Sequence, residues 1–190
     1  EAVELMEASG AGDPGGYLGL ARAAAAVTAD DARFEGEHFV VSHPKGKDEV
    51  LVPYLLETLE AQRAALAADL GVSPPEKVRV EILGAVSELA RLSTLSDDEI
   101  RASGTIALCK YGKLMVVTPR ATVFGYPWMD TMVHEYVHYV VSRMSHDKVP
   151  VWLHEGLARY QQVRWRGPAT RPLSAMDEHL LAAALKKNDL

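Results

Sequence analysis

His134, Glu135 and His138, in the run His134-Glu135-Tyr136-Val137-His138, are the side chains whose types and spacing could do chemistry. Positions i and i+4 share one face of a helix, so both imidazoles can address a single metal ion. Glu135 is turned about 100° from His134, where it can serve a water at that metal without being a ligand. Two imidazoles with an adjacent carboxylate make a water-activating zinc site. A catalytic zinc takes three protein ligands and keeps a fourth position open. The next donors along the chain are His154 and Glu155, in a segment that Pro150 can start as a second helix. Adjacent helical residues point about 100° apart, so one of the two is expected to ligate, and spacing alone selects neither.

The elements that must position these groups can be read from periodicity. A helix is expected from about Trp128 to Ser145, behind a loop bounded by Pro119 and Pro127. His38 to Ser42 reads as a strand, closed by Pro44 and Gly46. Leu51, Leu55, Leu59, Leu66 and Leu70 recur at helical spacing, so 49–70 is a long amphipathic helix stopped by Gly71. Val78 to Leu83 alternates as a strand does, and Ser87 to Leu92 is a short helix. Ser96 with Asp97, Asp98 and Glu99 looks like a helix N-cap. Thr105 to Cys109 and Leu114 to Thr118 are two strands joined across 110–113 as a hairpin. So short a link argues for an antiparallel element, and the class is α+β. Residues 1–30 read as a separate helical segment, Glu1 to Ala8 and Leu18 to Ala29, broken between Gly10 and Gly16. Residues 31–190 form the main domain.

Composition narrows the function. The 190 residues are 48% hydrophobic and carry a formal net charge of −6, with no dense basic run, so nucleic acid is not an expected partner. No stretch is long and apolar enough to span a membrane. The one cysteine, Cys109, excludes an intrachain disulfide framework and a cysteine-based zinc site, and its apolar surroundings suit a core thiol. The chain begins with Glu1 and reads as part of a longer multidomain protein. A soluble domain is expected, and export of the parent is compatible with it.

The pentad followed by Pro150-x-Trp152-Leu153-x-Glu155-Gly156-Leu157-Ala158 resembles the gluzincin metallopeptidases, in their compact peptidase MA-like group with its W-L-x-E-G-x-A signature. The likeness covers roughly residues 35–165 and is specific over 131–160. It implies a zincin-like fold, a mixed sheet with an antiparallel edge strand beside an active-site helix. It implies zinc held by His134, His138 and Glu155, with Glu135 as general base, and a peptide or protein as substrate. Members often carry helical repeats before the peptidase domain, which suits 1–30. Two-His-one-Glu ligation also favours zinc over other divalent ions. Gluzincins complete the site with a Tyr or His that steadies the oxyanion, for which Tyr160 and His179 are the candidates, with Tyr126 a further option. Two positions depart from the family. His154 stands where Asn is common, and Arg159 stands where thermolysin-like relatives place an acidic partner for a ligand histidine, which leaves the groups backing the ligands unassigned. Asp130 is expected to be a cap or surface residue. Trp128, Trp152 and Trp165 are expected to pack, with Trp152 anchoring the glutamate helix on the core, and Arg164 and Arg166 to be a solvated helix end. Thr105 to Cys109 is the expected edge strand for an extended substrate. Two rival readings use the same residues: an inactive zinc-binding peptidase-like domain acting as an interaction module, and a purely structural domain without metal.

Overall fold

The computed structural model describes residues 2–8, 16–167 and 175–187. Helices α1 (Ala2–Ala8) and α2 (Tyr17–Val27) come first, and most of the expected break between them lies outside the described residues. Strands β1 (Ala32–Glu35) and β2 (Phe39–His43) lead into α3 (Leu51–Leu70), β3 (Val78–Leu83), α4 (Val86–Leu92) and α5 (Asp97–Ser103). The hairpin β4 (Ala107–Lys110) and β5 (Lys113–Val117) precedes α6 (Trp128–Ser145), α7 (Val151–Gln161) and α8 (Ala175–Lys187).

The fold is α+β around one mixed sheet in the order β1-β2-β3-β5-β4. The inner strands β2, β3 and β5 run parallel, while β1 and β4 lie antiparallel at the two edges. Strand β4 turns into β5 through Tyr111 and Gly112, both at positive φ (55° and 67°), the backbone that a two-residue hairpin demands. The strand starts two residues later than the sequence suggests. Strand β1 carries no clear sequence signal: its one large apolar residue, Phe34, is exposed.

Alternation along the strands divides the interior. Val78, Val80 and Ile82 of β3, with Leu114 and Val116 of β5, meet Leu55, Leu59 and Leu66 of α3 and Met132, Tyr136 and Val140 of α6 in the main core. The other sheet face buries Met115 and Val117 against Leu89, Leu92 and Ile100, and Ala24 and Val27 of α2 pack on that second cluster. Residues buried on α6 leave a separate stripe of His134, His138 and Ser142, spaced by four, along which α7 docks. Helix α7 in turn buries Ala158 and Gln161 and half-buries His154 and Leu157. That stripe explains a correction: Trp152 falls on the opposite face and is 63% exposed, so it does not anchor the helix.

A second correction concerns the turn at Arg164–Arg166. Arg164 is not a solvated end: its Nε and Nη2 each donate at 2.7 Å to the two oxygens of Asp69 on α3. Arg166 reaches Asp130 at 2.7 Å and stacks on Trp165, whose Nε1 donates to the same Asp130 at 3.0 Å. Asp130 therefore tethers this turn to the start of α6 and is not merely a cap or surface charge. Trp128 packs on the core.

Candidate metal centre

The pentad sits in the second turn of α6, and the run from His146 to Pro150 reverses the chain so that α7 crosses back over it. His146 and Asp147 both take positive φ (52° and 57°), and both backbone N–H groups turn back to the Ser142 carbonyl, closing α6 sharply. The crossing brings Glu155 to the two histidines. His134 Nε2 and His138 Nε2 lie 3.0 Å apart, and the two carboxylate oxygens of Glu155 lie 3.5 Å from one ring each. Donors bonded to a tetrahedral zinc at roughly 2.0–2.2 Å stand about 3.3–3.6 Å from one another, so this triangle has nearly the size the ion requires. A hydrogen bond between the two rings would account for the short edge but not for a carboxylate straddling both. Among the described residues, His134, His138 and Glu155 form a group that could hold a metal ion.

Each ring has a polar group behind its far nitrogen. His134 Nδ1 lies 3.1 Å from Gln162 Oε1. His138 Nδ1 lies 2.5 Å from His154 Nδ1, and His154 Nε2 lies 3.2 Å from Ser142 Oγ. His154 therefore stands behind His138 and not beside Glu155. The assignment that leaves both Nε2 atoms without protons is self-consistent: Nδ1–H of His134 donates to Gln162, Nδ1–H of His138 to His154, and Nε2–H of His154 to Ser142. Ser142 and Gln162 carried no signal in the sequence beyond Ser142 lying four residues after His138.

Glu135 is largely buried. Burial pushes its carboxyl up to about 7, the Cys109 backbone N–H pulls it back, and Glu155 adds a smaller upward push. Burial, then His134 beside it, draws His138 down to about 4, keeping the ring neutral as a ligand must be. Burial also pushes the Cys109 thiol up to about 12, so it is inert as a nucleophile at neutral pH.

These groups open on a cleft of about 430 Å³. One wall is β4, through Ala107, Leu108 and Cys109, and the other is the start of α7, through Val149 and Val151. A larger cavity, about 680 Å³, lies on the opposite sheet face beneath α2; its Lys113 is paired with Glu81 at 2.6 Å, and the metal-competent group is not among its lining residues. The smaller cleft is the one lined by the metal-competent group.

The oxyanion candidates are not brought there. Tyr160 is 53% exposed on α7, His179 is exposed on α8, and neither lines the cleft. Tyr126 donates its hydroxyl to the Val117 carbonyl, and burial raises its pKa. No family model matches the chain, and no curated protein matches it.

Proposed function

We propose that this chain is a zinc-dependent peptidase that hydrolyses peptide bonds in the cleft between β4 and α7. The carrying observation is the triangle of His134 Nε2, His138 Nε2 and Glu155, with Glu135 one residue along the same helix. The gluzincin resemblance of 134–138 and 152–158 supports it.

A zinc ion held by His134, His138 and Glu155 would polarise the scissile carbonyl and lower the pKa of water to about 7. Glu135 takes the proton from the attacking water and delivers it to the leaving amine. Burial suits it to both tasks, since a carboxyl near 7 is basic enough to accept a proton and acidic enough to give it up. Strand β4 has β5 on one side only; on its outer edge the Cys109 N–H already meets Glu135, and the remaining outer backbone groups would take an extended peptide laid alongside. The test is cleavage of an unstructured protein by the zinc-loaded chain. Glu135→Gln should lower the rate by about 10²–10⁴-fold while zinc stays bound at one equivalent. Cleavage by the variant at the wild-type rate sinks the mechanism.

A second reading, a zinc-binding module without turnover, is favoured by one observation. Among the described residues lining the cleft there is no Tyr, Arg or Lys to steady an oxyanion, and His154 is engaged with His138 and Ser142. One equivalent of bound zinc with no cleavage of any unstructured substrate would establish it.

A further inference from the structure

We propose that Gln162 is a positioning residue for the metal centre, accepting the Nδ1–H of His134 so that Nε2 of that ring faces His138 and Glu155 without a proton. The inference rests on the zinc reading above and adds the group that the departure at Arg159 leaves unassigned. An imidazole ligand needs its far nitrogen engaged, because that bond chooses the tautomer and holds the ring plane. For His138 the far nitrogen meets His154. For His134 it meets Gln162 Oε1 at 3.1 Å, from the residue that closes α7.

The surroundings hold the backbone on both sides of Gln162. Immediately before it, Gln161 is 3% exposed; its carbonyl accepts from Gln62 Nε2 at 3.0 Å and its own Nε2 donates to Asp69 at 3.2 Å. Two residues after it, Arg164 clamps the same Asp69 with two bonds of 2.7 Å. The backbone of Gln162 also stays in the helical line, its N–H donating to the Ala158 carbonyl at 2.9 Å. Helix α3 thus fixes the end of α7, and the end of α7 fixes the tautomer of a ring on α6. Amide orientation decides the outcome. With Oε1 toward the ring, His134 carries its proton on Nδ1 and can ligate through Nε2. With Nε2 of the amide toward the ring, the proton would sit on the ring nitrogen that faces the metal. A carboxylate at 162 can only accept, so it preserves the function; an apolar isostere cannot.

The test compares the wild-type chain with Gln162→Leu and Gln162→Glu. Zinc affinity is measured by competition with a chromogenic chelator, and ring geometry by the visible spectrum of the cobalt-substituted protein. The leucine variant is expected to bind zinc about 10–100-fold more weakly and to shift the cobalt bands, with helix content unchanged. The glutamate variant should bind within a few-fold of wild type. Zinc binding by the leucine variant within two-fold of wild type, with the same cobalt spectrum, overturns the proposal, and so does a glutamate variant as weak as leucine. Should the leucine variant fail to fold, ¹⁵N resonances of neutral His134 in the zinc-free wild type decide: Nδ1 protonated supports the proposal, and Nε2 protonated refutes it. A wild-type chain that takes up no zinc defeats the metal reading itself, a result distinct from zinc uptake that ignores position 162.

Discussion

At the scale of single residues, burial of Glu135 and His138 sets stability against pH. The unfolded Glu135 carboxyl titrates near 4.5 and the folded one near 7. Below 4.5 it is protonated in both states, so nothing is lost. As pH rises through the window, the folded state must ionise a buried group, and stability falls by an amount on the order of 3 kcal/mol. His138 acts in the opposite direction: its folded pKa of about 4 lies below the ordinary 6.5, so stability rises with pH between those values. The two effects oppose each other over most of their range, which would hide either one in the wild-type profile. Glu135→Gln separates them. The metal-free variant should melt above the metal-free wild type at pH 8, and the gap should vanish by about pH 4 in thermal scans. An equal gap at both pH values would show that the substitution acts through packing and not through ionisation.

At the scale of elements, α7 carries the assembly. It supplies Glu155 to the metal group, His154 behind His138, and its closing residue Gln162 behind His134. The sequence made part of this legible. A strict i, i+4 pair and a Pro-initiated helix placed three donors and the base, because helical spacing converts directly into a shared face. The choice between His154 and Glu155 was not legible from spacing, because it depends on how α7 crosses α6. Trp152 was misread for the same reason: its side of α7 is set by the crossing and not by its hydrophobicity. Strand β1 was invisible because an edge strand with one buried neighbour needs no apolar alternation. Arg164 was hidden because its partner, Asp69, lies 95 residues earlier. The crossing yields a prediction. Ala158 is fully buried in the main core, so Ala158→Leu should cost about 1–3 kcal/mol of stability and displace α7. Zinc affinity should fall with it, although residue 158 touches no ligand. Chemical denaturation and chelator competition on one preparation would measure both, and lost stability with unchanged zinc affinity would mean that α7 docks without the tight contact at Ala158.

At the scale of the whole molecule, an ion held by His134, His138 and Glu155 would be a cross-brace. Two donors come from α6, which is buried against the sheet, and the third from α7, which docks on α6. Helix α2 and its apolar cluster lie on the opposite sheet face, so they contribute to stability without touching the centre. An ion that binds the folded chain and not the unfolded one stabilises the fold by mass action, about 2.7 kcal/mol at one hundred times its dissociation constant. For a chain of this length each kcal/mol raises the melting temperature by about 2–4 °C, so saturating zinc should shift it by roughly 5–11 °C. The same shift should be absent in Glu155→Ala, whose two remaining donors both sit on α6 and no longer tie the helices together. It should persist, with a lower starting temperature, in a chain lacking residues 1–27, because the second cluster loses Ala24 and Val27 while the centre keeps every group that faces it. Calorimetry of the three proteins with and without zinc makes the comparison. A zinc shift of full size in Glu155→Ala would mean that α7 is not bridged through its glutamate, and that the ion is held by α6 alone or by His154.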